Sequence, residues 1–160
     1  MTRRPLLAML CALGVAPRFS NAQGPAAGAP KTEPLRLTDA QWKQRLTPDQ
    51  YAVMRQEGTE RPYASPLNDE HRPGVFHCAG CDLALFSSTT KFDSGTGWPS
   101  FYAALPGAVA MKTDFKLVMP RTEYHCARCA GHQGHVFDDG PKPTGKRYCN
   151  NGVALKFVAA

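Results

Sequence analysis

A chain of 160 residues and 17.4 kDa is long enough for one real core, and 42% hydrophobic with 20% charged residues is an ordinary globular balance. Its 19 Lys and Arg against 13 Asp and Glu give a formal charge of +6, but the cations are scattered without a basic run, which argues against nucleic-acid binding. The apolar run Pro5 to Val15 falls far short of the roughly 20 residues a membrane span needs, so no stable membrane insertion is expected.

Taken in order, Met1 to Ala22 reads as a signal peptide. It has a basic start at Arg3 and Arg4, that apolar run, and a small-x-small ending at Ser20-Asn21-Ala22. Thr2 to Leu7 also resembles a twin-arginine export signal, and the expected destination is the periplasm. Leu10 stands where lipid attachment at Cys11 would need a small residue. Loss of the leader removes three arginines and leaves 16 cations against 13 acids, a charge of +3. Residues 23–36, rich in Gly, Ala and Pro, read as a flexible linker, and residues 37–160 as one catalytic domain.

Two short helices should open that domain. Thr38 with Gln41 forms a capping box for a helix through Arg45, and Thr47-Pro48-Asp49-Gln50 repeats the signal with proline at the first helical position. Trp42, Leu46, Tyr51 and Met54 would pack them onto the body. From Val75 onward, short apolar runs broken by Gly, Pro, Asp and Asn predict a mainly β body. The predicted strands are 74–77, 83–86, 108–113, 123–125, 135–137, 147–150 and 154–158.

Cys78 with Cys81 and Cys126 with Cys129 are two CxxC hooks, each following a β-type run, and together they form a tetrathiolate zinc signature. A pair of disulfides or a thioredoxin-like redox pair is the alternative. His77 and His125 each precede a hook and could replace a sulfur. With Cys11 in the leader, Cys149 is left over, set among Lys146, Arg147, Asn150 and Asn151, surroundings that favour the thiolate. The alternative is a core cysteine leading into Val153 to Leu155. His132 and His135, three apart with Gly131 and Gly134 allowing a tight path, could supply protons near neutrality, or be surface residues or extra metal ligands.

These motifs, with KFDSGTGWPSF at Lys91 to Phe101, GHQGHVFDDGP at Gly131 to Pro141 and RYCNNGVALKF at Arg147 to Phe157, resemble the methionine-R-sulfoxide reductases of the B type over residues 37–157. The resemblance implies two antiparallel β-sheets leaning together like a tent, stapled by a structural zinc at the edge opposite the catalytic cysteine. It makes Cys149 the nucleophile, and His132 and His135 the groups binding the sulfoxide oxygen with its water and protons. Asn151 would lie beside them, and Arg147 would help hold the thiolate. Trp98 would receive the substrate's methyl group, with Phe137 completing the apolar side. Oxidised methionine in proteins and peptides would be the substrate, a thioredoxin-like or other thiol the reductant, and the enzyme a monomer. Two departures stand out. Thr96 occupies the place of the resolving cysteine of many members, so a one-cysteine cycle is expected; Asn150 replaces a common apolar residue. A zinc-ribbon binding module and a thiol-disulfide oxidoreductase are the rival readings.

Overall fold

The computed structural model describes residues 32–115 and 120–160. The predicted leader at 1–22 with its Cys11, and most of the predicted linker, lie outside the described residues.

Helix α1 (Asp39–Arg45) and helix α2 (Pro48–Gln56) each start at a complete capping box, Thr38 with Gln41 and Thr47 with Gln50. In each, the hydroxyl accepts from the glutamine N–H while the glutamine side chain reaches back to the cap, satisfying two otherwise orphaned donors. α1 buries Trp42, and α2 buries Val53 and Met54. The Met54 methyl is wedged against both cysteine hooks: a Cβ on Gly80 or Gly131 would lie 3.0 or 2.8 Å from it.

The body is β, as predicted. Its strands are β1 (Gly74–Cys78), β2 (Ala84–Ser87), β3 (Lys91–Phe92), β4 (Ser100–Phe101), β5 (Val109–Asp114), β6 (Arg121–Cys126), β7 (His132–Phe137), β8 (Arg147–Asn150) and β9 (Leu155–Ala159). A small sheet runs β2-β1-β9 and a large one β3-β4-β8-β7-β6-β5. Every pairing is antiparallel. Phe76 and Phe86 from the small sheet meet Phe101, Tyr124 and Tyr148 from the large one. Phe86 stacks on Phe101 at 4.3 Å between centroids, and Phe76 meets the same ring edge-on at 4.9 Å. Buried aromatics of this size are worth roughly 1.5–3 kcal/mol each, so this cluster is the main adhesive between the sheets.

Two strands were not predicted. β3 and β4 are two residues long, too short for alternation to show, and exist because β4 fills the edge beside β8. β7 begins at His132, three residues before the predicted start. At the far edge of the large sheet, β5 leaves Met111 51% exposed.

Candidate active site

The two hooks are built alike. β1 ends at Cys78 and β6 at Cys126, and the chain then turns so that Asp82 N–H donates to the Cys78 carbonyl at 2.8 Å and Ala130 N–H to the Cys126 carbonyl at 2.9 Å. Asp82 and Ala130 close these turns with positive φ of 65° and 54°. The hooks meet with Cys78 and Cys129 sulfurs 3.6 Å apart and those of Cys81 and Cys126 3.4 Å apart. All four sulfurs are buried, within 4.8 Å of one another, and can hold a metal ion. Sulfurs at ~2.3 Å from a tetrahedral zinc stand about 3.8 Å apart, so the spacing fits. His77 and His125 are not in the group, and the His77 ring instead bonds the Asp82 carbonyl at 2.9 Å.

β8 carries Cys149 between β4 and β7, opposite Ser100 on one side and His135 on the other. Cys149 lines a cavity of about 130 Å³ with Trp98 and Phe137 as apolar walls and His135, Asn151 and Arg121 as polar ones. Five of the seven expected catalytic and substrate residues thus share one cavity. The Trp98 indole N–H donates to the Glu60 carbonyl at 3.1 Å. Asn151, almost fully buried, accepts from the Glu60 N–H at 3.0 Å and donates to the Gln133 carbonyl at 2.9 Å.

The two histidines take different places. In a regular strand, residues three apart point to opposite faces. The β6–β7 register skips Gln133, passing from Tyr124 opposite Gly134 to His125 opposite His132. This bulge brings both rings together at 5.5 Å between centroids. His135 lines the cavity, and its Nε2 bonds the Asp114 carboxylate at 2.8 Å; the same oxygen takes Arg121 at 2.8 Å. His132 is not part of the cavity wall. It is 2% exposed, with Nδ1 bonded to Glu123 at 2.9 Å. A carboxylate only accepts, so that nitrogen carries the proton. Burial pulls the His132 pKa down against the pull of Glu123, which keeps the ring neutral.

Arg147 is not a free cation. Its guanidinium grips Asp139 at 2.9 and 2.8 Å and lies 4.3 Å over the Phe137 ring. Burial pushes the Cys149 thiol up; Arg147 and Thr96 pull it back without cancelling the rise. The sequence shows the cations near Cys149 but not the water it loses, and that lost water opposes the thiolate that the cations favour. Asn150, the unusual residue, is fully buried and fully used: it accepts from the Tyr124 hydroxyl at 2.7 Å and donates to the Asn151 carbonyl at 2.7 Å.

The metal-type cluster and the cavity are separate groups of residues with one residue in contact with both. Gln133 links them: its side-chain amide is 3.7 Å from the Cys78 sulfur and its carbonyl accepts both Asn151 donors. Glu60, Asp114, Arg121 and Glu123 were not singled out from the sequence. Glu123 alone left a trace there, as the first residue of a predicted strand.

Residues 46–159 match the SelR domain family. The chain is 55% identical over 122 residues to the chloroplastic peptide methionine sulfoxide reductase B1 of rice, covering 76% of this chain and 57% of that one. It is 53% identical over 132 residues to the Arabidopsis thaliana protein of the same name, covering 82% and 65%. The chain thus spans about three fifths of the length of these plant relatives. With the Thiobacillus denitrificans peptide methionine sulfoxide reductase MsrB it shares 54% identity over 121 residues, 75% of this chain and 92% of that one. A domain match over most of the chain and more than half of the aligned residues identical to a near full-length relative place it in the SelR-domain family of peptide methionine sulfoxide reductases, the MsrB type.

Proposed function

We propose that the protein reduces the R epimer of methionine sulfoxide in peptides and proteins, with Cys149 as nucleophile. The observation that carries this is the cavity itself, where one thiol faces an apolar wall of Trp98 and Phe137 and a polar wall of His135 and Asn151. A volume of about 130 Å³ is far below the roughly 300–1,000 Å³ of drug-sized sites and suits a methylsulfinyl head. An apolar wall for the methyl, a polar wall for the oxygen and the Cys149 sulfur itself fix three directions about the sulfoxide sulfur, so only one configuration presents itself to Cys149. That this is R follows from the family resemblance.

Burial favours the protonated form of Cys149, and its thiol proton leaves as the sulfoxide oxygen gains one, with His135 as the adjacent carrier. Asp114 accepts from the His135 Nε2–H, which fixes the tautomer and leaves Nδ1 as the nitrogen that takes up and releases the proton. The Cys149 sulfur attacks the sulfoxide sulfur, the S–O bond breaks, and the oxygen ends on Cys149. Methionine sulfur is reduced by two electrons and Cys149 is oxidised to sulfenic acid. Two external thiol groups, as in a thioredoxin-like protein, then return Cys149 to thiol and release water and a disulfide. Among the described residues the other cysteines are all in the four-sulfur group, and Thr96 stands in the resolving position, which supports a one-cysteine cycle.

Zinc is the ion these four sulfurs suit, and its role is structural, since four thiolates leave no coordination position open. The leader-like pattern of Met1 to Ala22 supports export to the periplasm, with the reductant met there.

The test is turnover of separated R and S epimers of a methionine-sulfoxide peptide with dithiothreitol as donor. Wild type should reduce R alone, and Cys149→Ser neither. Failure of the metal-loaded wild type on both would favour a binding module on the same scaffold.

A further inference from the structure

Asn151 precedes a three-residue 3-10 turn, Gly152–Ala154, from the position where a polar side chain ordinarily folds over the free N–H groups that follow. It does not cap that turn. The Glu60 carboxylate does so instead, from 92 residues away, accepting from Gly152 N–H at 2.5 Å and Val153 N–H at 2.9 Å. The approach is close: a Cβ on Gly152 would lie 3.3 Å from the Glu60 Oε1 and 2.0 Å from the Ser65 hydroxyl. Relieved of capping, the Asn151 amide is held by the Glu60 N–H at one end and the Gln133 carbonyl at the other. The Glu60 carbonyl meanwhile takes the Trp98 indole N–H. One residue therefore bonds to Trp98, to Asn151 and to the turn after Asn151, without lining the cavity that Trp98 and Asn151 help to form.

We propose that Glu60 is the positioning residue of this site: it sets the separation of the Trp98 wall from the Asn151 amide, and so the fit of the methyl and oxygen of the substrate. The carboxylate is the operative part. Without it the turn loses its cap, the Glu60 backbone is no longer pinned, and its two bonds to Trp98 and Asn151 loosen together. The inference rests on the sulfoxide-reductase reading of the cavity, and its test separates the two.

The experiment compares Glu60→Ala and Glu60→Gln with wild type in three measurements: methionine released in a single turnover of reduced protein, alkylation of Cys149 by iodoacetamide, and the Trp98 indole N–H resonance. Misplacing a site by about an ångström costs on the order of 100-fold, so Glu60→Ala should release methionine about 100-fold more slowly. Glu60→Gln, whose amide oxygen still accepts one of the two N–H groups, should be slowed about tenfold, with alkylation within about twofold of wild type for both. The Trp98 resonance should move in both. Single turnover within about threefold of wild type in a folded Glu60→Ala, or an equal fall in alkylation, would overturn the proposal. Should Glu60→Ala not fold, Glu60→Gln is judged on single turnover against alkylation in the same way. If wild type itself releases no methionine, the sulfoxide reading fails on its own account. The positioning claim is then decided by the Trp98 and Asn151 side-chain resonances, and Glu60→Gln leaving both unmoved would refute it.

Discussion

Cys149 shows two opposed pulls on one atom. Burial raises its pKa, while Arg147 and Thr96 lower it, and burial wins. Its ionised fraction therefore grows only as pH passes above the ordinary thiol range. Iodoacetamide reactivity should climb with a midpoint above that of free cysteine, and Arg147→Met, which keeps the packing over Phe137 but removes the charge, should move it higher still. A wild-type midpoint below free cysteine's would contradict this. The sign for stability is consistent: a raised thiol pKa contributes stability below the unfolded pKa, and this is lost as pH rises through the folded one. Asn150 carries a second residue-scale test. Tyr124 is fully buried, and its hydroxyl has Asn150 as acceptor. Asn150→Ala should leave that hydroxyl orphaned and lower stability by roughly 1–3 kcal/mol in urea unfolding; no change in the midpoint would show that the bond contributes nothing.

At the scale of elements, the site depends on how closely β7 approaches β8. A Cβ on Gly134 would fall 1.9 Å from the Cys149 carbonyl oxygen and 3.2 Å from the Asn150 Cα. Gly134→Ala must push the strands apart, so we expect sulfoxide turnover to fall by about 100-fold with the metal content unchanged; activity near wild type would mean the ladder can yield without disturbing Cys149. The capping boxes were legible in the sequence because each lies within four residues, and the strands that alternate over several residues were legible too. β3, β4 and the Gln133 bulge were not, since two-residue strands carry no period and a bulge is decided by the partner strand. For the same reason the sequence paired His132 with His135 as equals, where the fold gives His135 the cavity and His132 a sealed place against Glu123. The cysteine hooks and the leftover Cys149 were readable as chemistry in their own right. Glu60 was not, because its partners Trp98, Asn151 and Gly152 lie 38, 91 and 92 residues away.

For the whole molecule, the four sulfurs join the small sheet, through Cys78 on β1, to the large one, through Cys126 on β6. Breaking that joint should loosen the aromatic layer between the sheets. Cys126→Ser should lose bound zinc and melt at a markedly lower temperature, whereas Cys149→Ser should keep both metal and melting temperature while losing turnover; equal metal loss in the two variants would dissolve the division between staple and nucleophile. Both sites also touch one residue, Gln133, whose side-chain amide lies beside Cys78 and whose backbone carbonyl accepts from Asn151.

Met54 and Met111 divide the molecule's own exposure to oxidants. An oxygen added to the Met54 sulfur would put a polar group into the packed region where its methyl meets Gly80 and Gly131. Its 2% exposure keeps that damage remote. Met111, on the open edge of β5, has a sulfur that can take the same oxygen and only extend it into solvent. Oxidant reaching the folded protein thus meets the methionine on its rim, where added bulk disturbs little, well before the one at its joint.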